Sequence, residues 1–184
     1  MKIQSLTVQH DPAEDRIVLL TRSADAEQIL LLTRRLTCGL LAALSKQIEH
    51  TQGDQRLAQS GLQDELISMK HSRALNRVRE AQADRPAVSA APQRLPTRLL
   101  TKIGIRDQAQ GRQLLFSDAS GEVASIALDT AQLHWFVGRL ATHSRKAGWG
   151  NPVPVPAWLK QNPSPEPAPG QQTGLQKGNP LADR

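Results

Sequence analysis

The 184-residue chain has little of what several classes of protein depend on. Its one cysteine, Cys38, excludes an internal disulfide and any metal site built from cysteines alone. It has no tyrosine, and aromatic residues make up only 3% of the chain. No apolar run approaches the roughly 18 residues of a membrane span, and the first residues lack the apolar stretch of a signal peptide. These absences predict a cytoplasmic protein with no membrane association.

Sequence patterns of known catalytic and metal sites are also missing. There is no glycine-rich phosphate loop, HExxH, GxSxG or CxxC pattern, and the five histidines show no ligand or catalytic spacing. The turn at residues 10–15 holds one histidine and three carboxylates, a composition that we interpret as a solvated hairpin turn. We interpret Cys38 as a buried, inert thiol. The sequence therefore predicts a protein that is not an enzyme, with no catalytic residue, cofactor or metal.

An internal repeat organises the chain. Three β-like segments near residues 3–8, 16–21 and 28–32 lead into a helical pattern in which Leu36, Leu40, Leu44 and Ile48 recur every four residues. An offset of 96 residues places a similar series over 97–147, and Thr33 then falls on Asp129. The same offset matches Arg16, Val18, Leu19 and Leu20 with Arg112, Leu114, Leu115 and Phe116. Both Thr33 and Asp129 are typical residues for a helix N-cap.

The repeat predicts the fold class. We expect an α+β protein in which an internally duplicated βββα unit packs about a pseudo-two-fold axis, with an inserted surface helix and a disordered Pro-rich C-terminal tail. The boundaries are 2–50 for the first unit, 51–96 for a helical insertion with a Pro/Ala linker, 97–149 for the second unit and 150–184 for the tail. One such unit of about 50 residues buries little surface alone, so we expect the two units to share one domain.

The insertion and the tail are the two segments that lie outside the repeat. Residues 55–83 are compatible with a weakly amphipathic helix outside the core, in which Leu62, Leu66 and Met69 share a face. Residues 150–184 contain eight prolines and four glycines, a composition typical of a disordered tail. Within the tail, Trp158 and Leu159 form an apolar group that either folds back onto the core or docks onto another protein.

Five cations are the candidates for binding an anion or nucleic acid. Arg34 and Arg35 lie in the first turn of the first helix, where they oppose the helix dipole. Side chains placed against the local electrostatic preference of a helix are typical of functional sites. Pairing of the two arginines with nearby carboxylates explains their placement as well. Lys70, Arg73 and Arg77 share one face of the inserted helix, and a charged solvent face is the alternative there.

Two functions follow from these observations. The first is a non-catalytic protein-interaction or assembly protein that uses its middle helix and its tail to bind another protein, with a homo-oligomer as a further option. The alternative is a protein that binds single-stranded DNA or RNA. The strand-rich, helix-capped duplicate is similar in outline to the Whirly and PUR-type single-strand binders, on topology alone, since no motif of either family is present. Those proteins stack bases on aromatic side chains, which are scarce in this chain.

Overall fold

The computed structural model describes residues 1–52, 62–83, 95–109, 111–149 and 156–161. These residues form an α+β fold with two β-sheets and four helices. The strands are β1 (Ser5–Asp11), β2 (Arg16–Arg22), β3 (Glu27–Leu32), β4 (Thr97–Leu99), β5 (Lys102–Gln108), β6 (Gly111–Asp118) and β7 (Gly121–Asp129). The helices are α1 (Arg34–Gln52), α2 (Gln63–Ala83), α3 (Thr130–Lys146) and α4 (Ala157–Gln161). No helix among the described residues is long and apolar enough to cross a membrane.

The first sheet has the strand order β1-β2-β3-β4, and the second has the order β5-β6-β7. Neighbouring strands are antiparallel, except that β4 runs parallel to β3. The predicted segments near 3–8, 16–21 and 28–32 correspond to β1, β2 and β3. The predicted N-caps are confirmed at both helices that follow a sheet. Thr33 Oγ1 accepts a hydrogen bond from the Leu36 amide at 3.3 Å, and Asp129 forms a capping box with Gln132.

The segment just before the first strand of each sheet pairs with the other sheet and extends it. The sequence pattern did not predict this exchange. Strand β4 comes just before β5 but pairs with β3, where the Leu100 amide donates to the Leu31 carbonyl at 2.9 Å. The first residues of the chain come before β1 but pair with β7, where the Ile3 amide donates to the Ser125 carbonyl at 2.7 Å. These two parallel pairings tie the sheets together.

One hydrophobic core connects both sheets and all four helices. The predicted stripe on α1 is buried at Leu40, Leu44 and Ile48. The strands contribute their inward-facing side chains, because successive residues of a strand point to opposite faces. The largest fully buried strand residues are Ile17, Leu19, Leu30, Leu32, Leu114 and Phe116.

The structure corrects the offset of 96 in the second strand of the repeat. That offset matches Val18 and Leu20 with Leu114 and Phe116. The two residues on β6 are fully buried, whereas Leu20 is 37% exposed and Val18 is only partly buried on the same face of β2. The match is therefore wrong at this strand, because a shift of one residue moves a side chain to the opposite face of the sheet.

The structure also corrects the interpretation of the inserted helix. Helix α2 packs against α3 and α4, and Ile67, which is fully buried, belongs to the common core. Its buried side also includes Ser68, His71, Ala74 and Leu75. The face expected from Leu62 and Met69 is the exposed one, with these two side chains 50% and 66% exposed. The predicted helix residues 55–61 and the linker residues 86–94 lie outside the described residues.

Candidate functional site

The outward face of the first sheet carries a group of aliphatic side chains. On β2 and β3 the buried residues alternate with Val18, Leu20, Ile29 and Leu31, which are exposed or half-buried. Cross-strand pairs join them, since Val18 pairs with Leu31 and Leu20 pairs with Ile29. Leu99, 43% exposed, pairs with Leu31 from the β4 side. We call these five residues the aliphatic patch. Side chains directly opposite each other on antiparallel strands are close neighbours, so the four residues of β2 and β3 form one apolar surface. Leu99 extends this surface on the β4 side.

The outward face of the second sheet differs from the aliphatic patch. Its register rows are Gly104–Leu115–Ser125 and Arg106–Gln113–Ala127. Leu115 is the one large aliphatic residue in these rows, and it is only 9% exposed. A large apolar outer face is therefore a property of the first sheet and is not required by the sheet architecture.

Charged residues at the ends of β2 border the patch, and each cation lies beside an anion. Arg22 Nε donates a hydrogen bond to a carboxylate oxygen of Glu27 on β3. At the opposite end of β2, Arg16 Nε lies 3.6 Å from a carboxylate oxygen of Glu14. Asp11 on β1, directly opposite Arg16 in the register, adds a second carboxylate at this end of the patch.

Arg35, one of the predicted anion contacts, lines a groove between α1 and the β4–β5 region. The groove has a volume of about 630 Å³, and its other walls are mostly apolar, formed by residues such as Leu36, Leu100 and Ile105. Arg34 is exposed on the first turn of α1. Its charge contributes to lowering the pKa of Asp15, a shift caused mainly by a hydrogen bond from Trp149. The two neighbouring arginines therefore have different surroundings.

The three predicted cations of the inserted helix, Lys70, Arg73 and Arg77, are all exposed on α2. They share the helix with the exposed Met69, and Lys70 lies close enough to the buried side of α2 for its charge to act on His134. They are distinct from the arginine pair on α1, so the five predicted cations form two groups.

The predicted docking pair, Trp158 and Leu159, lies in the protein's own core. Trp158 is fully buried and Leu159 is 2% exposed. Trp158 Nε1 donates a hydrogen bond to a carboxylate oxygen of Glu49 on α1 at 3.1 Å. Of the two alternatives for this apolar group, the structure shows the one in which it folds back onto the core. Residues 150–155 and 162–184 of the predicted tail lie outside the described residues.

Around Trp158 the structure brings together two histidines that the sequence pattern did not connect. The rings of His71 on α2 and His134 on α3 lie 5.3 Å and 5.9 Å from the Trp158 ring. His71 and His134 are fully buried or nearly so. Burial lowers the pKa of His134 to about 4, and the positive charge of Lys70 acts in the same direction. His71 and His134 are 63 residues apart in the sequence, so no short motif linked them.

The acidic turn between β1 and β2 has a structural role. Trp149 Nε1 donates a hydrogen bond to Asp15 Oδ1, and the Trp149 ring packs edge-on against His10 at 5.8 Å. Among the described residues, no group of three or more histidine, cysteine or acidic side chains is arranged to hold a metal ion. Partial burial raises the pKa of the Cys38 thiol on α1. These observations assign no chemical role to the turn or to Cys38.

Comparison with known proteins gives no relative for this chain. No protein-family model matches it, and neither the curated proteins nor the solved structures contain a match. The function of this chain is therefore inferred from the surface described above.

Proposed function

We propose that this chain is a non-catalytic interaction or assembly protein that binds another protein chain through the aliphatic patch. The observation that carries the proposal is the exposure of Leu20 and Leu99 within a continuous row of aliphatic side chains. Contiguous exposed apolar surface is uncommon on monomeric proteins and typically marks a binding interface. The patch lies on a regular sheet, so its side chains are held in place before a partner arrives.

The contrast between the two sheets supports this proposal. Their inward faces are both apolar and both contribute to one core. Their outward faces differ, since the comparable register rows of the second sheet hold Gln113, Ser125 and Ala127, with Leu115 as their one large aliphatic side chain, only 9% exposed. If outward aliphatic residues were needed for folding alone, we would expect them on both sheets.

We also propose that the two βββα units are duplicates that pack about a pseudo-two-fold axis, as the sequence repeat predicts. Three inward-facing register rows in each sheet support the duplication. The rows are Leu6–Thr21–Gln28, Val8–Leu19–Leu30 and His10–Ile17–Leu32 in the first sheet, and Ile103–Phe116–Ala124, Ile105–Leu114–Ile126 and Asp107–Arg112–Leu128 in the second. The offset between equivalent residues is 97 in the first strand, 95 in the second and 96 in the third. The reciprocal pairing of β4 with β3 and of residue 2 with β7 is what a two-fold relation would produce.

Binding of single-stranded nucleic acid is the second candidate, favoured by the exposure of Lys70, Arg73 and Arg77 on one helix. Single-strand binders combine such cations with aromatic side chains on which bases stack. In this chain Phe116, the one Phe or Trp in a described strand, is fully buried, and of the remaining aromatic residues only Trp135 is even partly exposed. The aliphatic patch therefore supports protein binding better than the cations support nucleic-acid binding.

Site-specific photo-crosslinking tests the proposed function without knowledge of the partner. A photoreactive amino acid replaces Leu20 in a tagged chain that is expressed in its own cells and irradiated. Ala127, exposed on the outward face of the second sheet, is the matched control position. We expect a discrete protein adduct from position 20 and none from position 127. Equal adduct formation at both positions, or none at either, would contradict the proposal.

A fluorescence-anisotropy titration with single-stranded DNA, duplex DNA and RNA tests the second candidate. Binding through phosphate contacts weakens steeply as salt concentration rises. Tight binding that falls with salt and is lost when Lys70, Arg73 and Arg77 are replaced together by Gln would replace protein binding as the leading function. We expect only weak binding near physiological salt.

A further inference from the structure

The groove between α1 and the β4–β5 region has aliphatic walls that keep part of their surface open. Leu36 on α1 and Ile103 and Ile105 on β5 line the groove, and each is half-buried and packs against the core. Ile103 and Ile105 lie two residues apart on one strand, so both side chains point to the same face. Water is removed from the open part of these side chains only if an apolar group enters the groove.

The groove is also elongated. Its lining on α1 extends from Thr33 to Ala43, and because a helix rises 1.5 Å per residue this wall is about 15 Å long. On the opposite side the lining extends from Leu99 to Ile105. The volume of about 630 Å³ is in the range of small-molecule binding sites. These dimensions suit an extended chain that lies along the helix.

Gly39 keeps the α1 wall of the groove open. It is exposed in the groove, and a Cβ added there meets no atom within 4 Å. Trp135 lies at the corresponding position of α3, since Gly39 and Trp135 both lie six residues after the N-cap of their helix. Trp135 is partly buried and packs against the core. The second helix therefore carries a large side chain at a position where the first carries none.

Arg35 makes one end of the groove positive. It is the one charged residue among the described residues that line the groove, and its side chain is exposed. It forms no ion pair with any residue that the structure describes. The backbone amides of Arg34 and Arg35 lie in the first turn of α1, where N–H groups have no acceptor within the helix and the helix dipole adds positive potential. An otherwise apolar groove thus has an unbalanced positive charge at one end.

We infer that this groove binds a free medium-chain fatty acid, with its carboxylate at Arg35 and its hydrocarbon chain between α1 and β5. A guanidinium holds a carboxylate through two parallel hydrogen bonds. Within the described part of the chain, the walls hold no aromatic ring to stack on a flat ligand and no side-chain amide to bind it. The inference goes beyond the proposed function and does not depend on it.

The length of the α1 wall selects the probe. An extended hydrocarbon gains about 1.25 Å per carbon–carbon bond of about 1.5 Å, so dodecanoate is about 14 Å long and matches the wall. Isothermal titration calorimetry of the full chain, with dodecanoate below the concentration at which it forms micelles, should show one saturable site. Decanoate is two methylenes shorter and should bind about tenfold more weakly, because each buried methylene strengthens binding about fourfold. Dodecanol has the same chain with a neutral head group and should also bind at least about tenfold more weakly.

Two variants, each with a matched control, test the placement of the ligand. Arg35→Gln should weaken dodecanoate binding at least about tenfold and leave dodecanol binding unchanged, because only the contact with the charged head group is lost. Arg34→Gln removes the neighbouring exposed charge, which does not line the groove, and should change either affinity by less than about twofold. Gly39→Phe should fill the groove and abolish binding of both ligands. His50→Phe places the same ring at an exposed position of α1 outside the groove and should bind like the wild type. Circular dichroism should show that all four variants keep the wild-type fold.

Each part of the inference has an outcome that overturns it. If the wild-type chain shows no saturable binding of dodecanoate up to about 1 mM, the groove is not a fatty-acid site. A folded Gly39→Phe chain that binds like the wild type would mean that the ligand lies elsewhere. Equal affinities for dodecanoate and dodecanol, or equal losses from Arg35→Gln and Arg34→Gln, would overturn the position of the carboxylate at Arg35. None of these measurements involves Leu20, so the proposed function is tested separately.

Discussion

The Nδ1 atoms of His71 and His134 lie 3.1 Å apart, enclosed where α2, α3 and α4 meet. The ring of Trp158 packs edge-on against both imidazoles. A contact this short requires one ring nitrogen to carry a proton and the other to accept it, so at least one ring is neutral at that position. The contact of the inserted helix with the second unit thus depends on an unprotonated imidazole.

We predict that the protein loses stability as the pH falls from about 6.5 to about 4. Burial lowers the pKa of His134 from 6.5 to about 4, so in this range the unfolded chain takes up a proton that the folded chain does not. By linkage, unfolding becomes more favourable as the pH falls, and the contribution of His134 above pH 6.5 is constant. The loss from this one residue is about 3 kcal/mol of unfolding free energy. His143, with its pKa also lowered to about 4, acts in the same direction.

Urea unfolding followed by circular dichroism at about pH 7 and about pH 4 measures this loss. The variant His134→Gln, which retains a donor and an acceptor but does not titrate, should show a smaller pH dependence than the wild type. His50→Gln, at an exposed position near the end of α1, is the control. If His134→Gln retains the whole wild-type dependence, the buried imidazole is not its source.

Trp158 should be among the most costly residues to replace, although the composition of its segment predicted a disordered tail. It is fully buried and donates a hydrogen bond to Glu49. We expect Trp158→Ala to lower the unfolding free energy by about 3–5 kcal/mol, as for other buried aromatic residues. Trp158→Phe keeps most of the packing but removes the donor, and it should cost less, about 1–3 kcal/mol.

Urea denaturation of the two Trp158 variants measures both effects. Trp135→Phe, at a partly buried position on α3 that packs against the core, is a control for loss of an indole ring. A Trp158→Ala variant as stable as the wild type would contradict the placement of α4 in the core.

The Asp118 carboxylate at the β6–β7 turn should titrate well below a normal aspartate. Its pKa is lowered to about 2, chiefly by hydrogen bonds from the side chain and the backbone amide of Ser120 and also by Arg98 on β4. We therefore expect Ser120→Ala to raise the Asp118 pKa toward 3.8, and Arg98→Gln to raise it less. Carbon-13 NMR of the side-chain carboxyl, followed as a function of pH, measures each value. A larger shift from Arg98→Gln would mean that the link between β4 and the turn dominates.

Much of the fold could be predicted from the sequence, because strands and capped helices leave local signals. The alternation at β1, the stripe on α1 and the N-cap at Asp129 all appeared in the pattern. The match of Val18 with Leu114 failed for a physical reason. Both faces of β2 are apolar, so hydrophobicity alone could not decide which side chains point inward.

The candidate site was missed at the sequence level for the same reason. The unbroken apolar run Ile17–Leu20 is itself a signal that both faces of the strand are covered, and that signal could have indicated the aliphatic patch. Long-range contacts left no signal of this kind. Whether α2 buries His71 or Met69 depends on how it meets α3, and no local periodicity specifies that.

Two glycines offer a paired test of the backbone. Gly111 begins β6 with φ +154°, and a Cβ added there would lie 2.0 Å from the Leu128 carbonyl oxygen. Gly39 lies in α1, and a Cβ added there meets no atom within 4 Å. We expect Gly111→Ala to lower the unfolding free energy by at least about 1–3 kcal/mol, because the strand must move to admit the methyl group.

Gly39→Ala should do the opposite and raise the unfolding free energy by about 0.5–1 kcal/mol, since alanine loses less backbone entropy than glycine on forming a helix. Urea denaturation of both variants measures the two changes against the same wild-type curve. The opposite signs make the pair informative, because a general sensitivity to substitution would destabilise both. A Gly111→Ala variant with wild-type stability would mean that β6 and β7 do not approach as closely as the register at Gly111 and Asp129 requires.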